Sequence, residues 1–351
     1  MKRFFLILLG IFAVTAQAEY RMIVPDAPGS GGAIWASVVT KHLSKYIDEP
    51  IVIQHVPGAR NIPGMNEWHK KFRFDERTMV VSFGSHAVNF LLEPVDYNFN
   101  DYEAIAMENS DIIIGHHKSH DPKKQTSKFG GSNALIDALG VALMICGPQS
   151  TTDAYLTCWK EKMVWVNGVA GNQIRPMYLR GELNITRDPP ASWLRFYEKE
   201  SNTVVWFTHG LRDLKNGAQV ENSNYPGKRF EDVYRKTWGV APKGELYETY
   251  HLGRTFNNVL QKVIWVNKGN PNANKIREAV RKMQADPEAM AALEKESGRY
   301  EWIVGDQANQ IRSDLNKMIT EKRLMTLVRW YNEAYNTKSI YKPDLVNKNI
   351  K

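Results

Sequence analysis

Four stretches of small residues in this sequence could do chemistry. They are Ser30-Gly31-Gly32-Ala33, Gly84-Ser85-His86, Gly131-Ser132-Asn133 and Gly168-x-x-Gly171-Asn172-Gln173, each placed between a short apolar run and a helical pattern. The first N–H groups of a helix have no partner within it and carry a partial positive charge. Glycine lets the backbone approach a bound group, and serine, asparagine and histidine add donors. The chemistry on offer is therefore capture of an anion such as a carboxylate, without bond making. The same residues are also ordinary caps and turn formers, so one junction alone reads as capping. Three glycines within four positions, Gly29 to Gly32, make the first junction the exception.

Signatures of other chemistries are missing. The sequence holds no G-x-x-x-x-G-K-[ST] or G-x-G-x-x-G for nucleotides, no G-x-S-x-G elbow and no H-E-x-x-H. His116, His117 and His120 lack the cysteine or carboxylate spacing of a metal site. No metal, no cofactor and no catalytic residue is assigned, and the chain reads as a binding protein, not an enzyme.

The elements that must position these junctions follow from periodicity. A β-like run at 20–24 precedes the first loop. Ile34, Val38, Val39, His42, Leu43 and Ile47 then recur at helical spacing, and Pro50 ends the helix before Ile51-Val52-Ile53. Strand, glycine loop, helix, strand is a βαβ unit with parallel strands. Further strands read at 79–83, 112–114, 164–166, 204–207 and 263–266, with helices at 63–72, 134–145, from after Asn172 to Arg180, and at 274–284, 288–297 and 305–335. Alternation of this kind defines an α/β fold, with parallel-rich sheets flanked by helices.

Composition bounds the class. Charged residues make up 24% and the net charge is +8, of which Lys2 and Arg3 contribute two. The excess is dispersed, which argues against nucleic-acid binding. Residues 1–18 read as a cleavable signal peptide, with a basic start, a short apolar run over 4–14 and Ala16-Gln17-Ala18 before Glu19. Export to a periplasm follows, and in that compartment Cys146 and Cys158 either form a disulfide or remain two buried thiols, the bridge being favoured.

Several segments in shared order resemble the periplasmic receptors of tripartite tricarboxylate transporters, the Bug family. Ile23-Val24-Pro25 through Gly32, then Pro50-Ile51-Val52-Ile53, is similar to the family's opening. Val56-Pro57-Gly58-Ala59 with Asn61-Ile62 resembles its N-x-P-G-A-G-G-N-I segment. Tyr97 to Tyr102, Gly168-x-x-Gly171 with Arg180-Gly181-Glu182, and Ile264 to Pro271 resemble later ones. Ala33 and Ser37 depart from an acidic residue and an arginine common in the family, and the stretches 188–224 and after Leu324 match poorly.

The resemblance implies a two-domain Venus-flytrap periplasmic binding protein, type II-like. It also implies a small organic carboxylate (a di- or tricarboxylate or an aromatic acid) as ligand, and permease subunits of the transporter as membrane partners. A monomer is expected. An exported sensor or enzyme on the same scaffold is the alternative. One lobe is expected to combine 19–118 with 266–351, and the other to hold 119–265, with hinges near Ile114 and Trp265. Ser30 to Ala33 should face Gly171, Asn172 and Gln173, with Ser85, His86, Gly131, Ser132, Asn133 and Gly168 lining the cleft.

Overall fold

The computed structural model describes residues 19–131, 134–167, 169, 171–213, 219–297 and 301–347. The signal-peptide reading, Ser132, Asn133 and Gly168 lie outside the described residues. Among the described residues no helix is long and apolar enough to cross a membrane.

The chain opens with β1 (Tyr20–Val24), α1 (Gly31–Ile47) and β2 (Ile51–His55), the βαβ unit expected. Ser30 caps α1 through its Oγ, which accepts from Ala33 N at 3.2 Å, and the helix stops at Asp48 in the left-handed region. Next come α2 (Ile62–Glu67), β3 (Thr78–Phe83), α3 (Gly84–Leu92) and β4 (Tyr102–Asn109).

A second group follows: β5 (Ile113–His117), β6 (Ser127–Gly130), α4 (Leu135–Cys146), α5 (Thr152–Lys162), β7 (Met163–Val166), α6 (Gly171–Leu179), β8 (Ile185–Asp188), α7 (Pro190–Phe196), β9 (Thr203–Thr208), β10 (Leu211–Arg212), β11 (Gln219–Val220), α8 (Phe230–Trp238) and α9 (Glu245–Val259). The chain then returns through β12 (Lys262–Asn267), α10 (Ala273–Ala285), α11 (Pro287–Ser297), β13 (Glu301–Val304), α12 (Asp306–Lys317) and α13 (Glu321–Tyr335).

Six strands form the large sheet in the order β13-β4-β12-β3-β1-β2. β1 runs parallel to β2 and β3, whereas β12 runs antiparallel to β3 and β4. One face is covered by α1, α10 and α11 around Trp35, Val39, Leu43, Ile276 and Val280. The other face merges with α3, α9 and α4 in a core that continues into the second group. There β5 pairs antiparallel with β8 and β9, and β6 pairs parallel with β7.

Ile114 belongs wholly to the second group, since β5 pairs only with β8 and β9, and Trp265 belongs wholly to the large sheet. The crossings fall at Ser110–Ile112 and at Leu260–Gln261. The C-terminal helix is α13. Its apolar stripe, Leu324, Leu327, Trp330, Tyr331 and Tyr335, packs toward α5 and α9, and Tyr335 Oη donates to Leu135 O at 2.8 Å. Packing of that stripe decides its place, not chain order. The tail beyond it turns back to the first group, where Ile340 N donates to Leu92 O at 2.7 Å. Cys146 and Cys158 are joined as a disulfide that fastens α4 to α5.

Candidate functional site

The first junction lies beyond the carboxyl end of β1, where ligands gather in open α/β sheets. Ser30 Oγ takes the N–H of Ala33, leaving those of Gly31 and Gly32 without a carbonyl inside the helix. Gly31 is exposed, and a Cβ placed on it would lie 3.9 Å from Ser192 Oγ of α7. Gly32 lies against the Phe83 ring so closely that a Cβ would fall 2.3 Å from Cζ. Glycine is thus required at 32 by contact, whereas at 31 a Cβ would make only an ordinary van der Waals contact with Ser192 of the second group. Asp26 is bonded to Ser30, and burial raises its pKa.

Phe83 links this loop to the second junction, Gly84-Ser85-His86. Among these, Ser85 alone faces a cleft. His86 is fully buried: Phe83 N donates to its Nδ1 at 2.7 Å, and its Nε2 meets Asn61 O at 3.0 Å. Both ring nitrogens are occupied, so His86 braces the loop instead of facing a ligand. Burial pushes its pKa down to about 4.

That bracing holds an unusual turn. Arg60 and Asn61 both have positive φ, 54° and 60°, a conformation costly for residues with a side chain. Asn89 secures the turn by donating to Arg60 O at 3.0 Å and accepting from Arg60 Nη2 at 2.9 Å. Arg60 Nη1 pairs with Glu93 at 2.6 Å. Arg60, Ser85, Asn89, Leu135, Asn257 and Tyr331 line a small crevice between α3, α4, α9 and α13, open in part to solvent, whose space of ≈ 10 Å³ is about that of one water molecule.

In the second group, Gly131 (φ +130°) meets Ile174 of α6, to which a Cβ would come within 2.5 Å. The third and fourth junctions are therefore neighbours, as are the first and second. Gln173 is exposed at the start of α6. Across the gap, the side chain that a Cβ on Gly31 would meet is Ser192 of α7. Arg187 of β8 and Arg175 of α6 are held by carboxylates, Asp137 at 3.0 Å and Asp188 at 3.5 Å. Asp137 is fully buried, which raises its pKa to about 6.

His116, His117 and His120 are used internally, His117 stacking on Tyr178 with ring centroids 4.1 Å apart. No group of three or more potential metal ligands occurs among the described residues. Trp35 is buried, donating to Glu108 Oε1 at 2.7 Å. Sequence reasoning missed Arg60, Asn257, Tyr331 and α7. A signal existed for Arg60, which interrupts the segment where the resembling motif carries glycines.

No family model and no curated protein matches this sequence. Solved structures do match in shape. The periplasmic binding protein BugD aligns over 90% of this chain and 97% of its own, at a TM-score of 0.55 and 11% identity. MatC from Rhodopseudomonas palustris with bound malate aligns over 87% and 98%, at 0.54 and 13%. An R. palustris protein with adipate aligns over 92% and 98%, at 0.58 and 10%. The chain has the two-domain α/β fold of periplasmic solute-binding proteins.

Proposed function

We propose that this chain is a solute-binding receptor of the tripartite tricarboxylate transporter type, exported to a periplasm, that holds a small carboxylate between its two lobes and presents it to membrane permease subunits. The observation that carries this reading is the meeting of the two lobes at the glycine junctions. A Cβ on Gly31 at the N-terminus of α1 would come within van der Waals reach of Ser192 in α7, and α3 and α4 begin on a shared small crevice lined by both polar and apolar side chains. The malate and adipate of the similar structures set the size and charge of the ligand proposed. The lobes divide at the two crossings, which act as the hinge, because a few residues at element ends can absorb closure.

The test is Gly31→Val. The position is exposed and its φ is not positive, so the domain itself should tolerate a side chain. Valine would fill the gap toward Ser192 and displace an anion from the α1 N–H groups. Loss of one charge-assisted hydrogen bond costs about 1.5–3 kcal/mol, or about tenfold or more in affinity. Calorimetry with malate and adipate should show that loss, with the melting temperature held within about 2 °C of the parent. Asn172→Ala provides the counterpart on the second lobe. Parent-like binding by both folded variants would refute this cleft as the site.

A further inference from the structure

The two lobes meet differently on the two faces of the large sheet. On the face covered by α3 and α9, one apolar core runs from lobe to lobe, and Ile112 and Leu260 at the two crossings belong to it. On the face covered by α1, α10 and α11, α7 of the second lobe packs on α11 of the first, and the contact is ionic. Arg195 Nη2 donates to Glu296 Oε2 at 2.7 Å, with both side chains partly exposed.

Each partner is fixed to its own lobe. Trp193 and Tyr197 hold α7 in a buried cluster with Ile113 and Tyr178. The Arg175 guanidinium of α6 lies over the Phe196 ring, 3.1 Å from its centroid, so α7 is also tied to the helix that starts at the fourth junction. Ala289 and Leu293 bury α11 beside α1, and Lys45 of α1 pairs with Glu288 at 3.4 Å. Ser192 and Arg195 are spaced to share one face of α7. That face meets the first lobe twice, at Gly31 through Ser192 and at Glu296 through Arg195. The stretch that carries α7 is one in which the sequence departs from the family it resembles.

Resting on the receptor reading above, we infer that Arg195 and Glu296 form a latch on the side of the cleft away from the shared core. They are positioning residues that hold α7 over the α1 N-terminus and set how long a captured carboxylate is retained. A bond made only when the lobes are together shifts the balance toward the closed arrangement. Because the pair is solvent-exposed, it changes that balance by a modest factor, and the lobes can still part to release ligand.

The experiment uses Arg195→Glu, Glu296→Arg and the double charge swap. Dissociation of malate and adipate, followed by stopped-flow displacement, should be about 3- to 10-fold faster in each single variant, with association little changed. The swap should return the rate to within about twofold of the parent. At about 1 M salt the difference between parent and single variants should shrink, which a packing defect would not do. A second readout needs no ligand. Amide hydrogen exchange over 31–35, at the start of α1, should be faster in the single variants and parent-like in the swap. Single variants that release ligand at the parent rate, or a swap no better than either single variant, would overturn the latch and leave the receptor reading intact. A parent that binds neither acid would bring down the receptor reading for this ligand class. The exchange rates would then decide the latch alone, and unchanged protection of the α1 amides would overturn it.

Discussion

Glu108→Ala is expected to destabilise the protein by about 3–5 kcal/mol, seen as a lower urea midpoint with little change in slope. Glu108 lies on β4, opposite Lys262 of β12, and both side chains are almost completely buried. Its Oε1 accepts from Trp35 Nε1 at 2.7 Å and its Oε2 lies 3.4 Å from Lys262 Nζ. Burial raises the carboxyl pKa and lowers that of the ammonium, with each charge working to restore the other. Removing the carboxylate takes the counter-charge from Lys262 and the acceptor from Trp35 Nε1 together. Trp35 also stacks on Trp302 of β13, so the pair ties the first turns of α1 to β4, β12 and β13. Loosening it should reach the first junction as well. The companion Glu108→Leu with Lys262→Met should recover much of the loss, because well-packed apolar residues often match a buried pair. A single variant within 1 kcal/mol of the parent would refute this role.

The parts of the fold legible in the sequence are those bounded by glycine and proline. β1, α1 and β2 were readable because an apolar run, a glycine loop, a periodic stripe and Pro50 follow one another without ambiguity. The start of α4 was readable for a similar reason, since its twelve residues are all buried and almost all apolar. β4 and α9 were not readable, and the reason is physical. β4 buries Glu108 and Asn109, while α9 buries Thr249, Arg254, Thr255, Asn257 and Asn258. Their polarity is satisfied by tertiary partners such as Glu231 and His209, which hydropathy cannot anticipate. The pattern over 305–335 looked continuous, yet Thr320 caps a new helix there, its Oγ1 accepting from Arg323 N.

The candidate site was legible by half for a related reason. Loops built from backbone N–H groups announce themselves through glycine, and Ser30, Gly31, Gly32 and Ser85 could be found in that way. A site wall supplied by side chains from distant elements has no local signature. Tyr331 reads as one more aromatic of an amphipathic stripe, and only the return of α13 toward the second lobe brings it opposite Arg60. Ser192 reads as a helix-start serine until the antiparallel β8 delivers α7 to the gap beside Gly31.

Acid should weaken the same wall through His86. Its Nδ1 must be unprotonated to accept from Phe83 N, so the folded protein holds the ring neutral, with the proton on Nε2 toward Asn61 O. Burial lowers its pKa to about 4 from an ordinary value of 6.5. Between those limits the unfolded chain binds a proton that the native state does not, so stability falls as pH drops from about 6.5 to about 4. A shift of that size corresponds to about 3 kcal/mol. Asp111 works in the opposite direction, since burial raises its pKa to about 6 and acid relieves that cost. Whole-protein acid stability therefore mixes the two signs, and the decisive measurement is a difference. His86→Gln can still accept one bond and donate another but does not titrate here. Its folding free energy, followed against urea from pH 7 to pH 4, should lose about 3 kcal/mol less than that of the parent, with Asp111 common to both. The site consequence follows from the bonds broken. A protonated Nδ1 would set its own N–H against that of Phe83 and break the bond that fixes the ring at the start of α3, while Nε2–H still donates to Asn61 O. Ligand affinity at the α3 cleft should therefore fall with acid more steeply in the parent than in His86→Gln. Parallel pH profiles for the two proteins would show that His86 does not titrate as its burial requires.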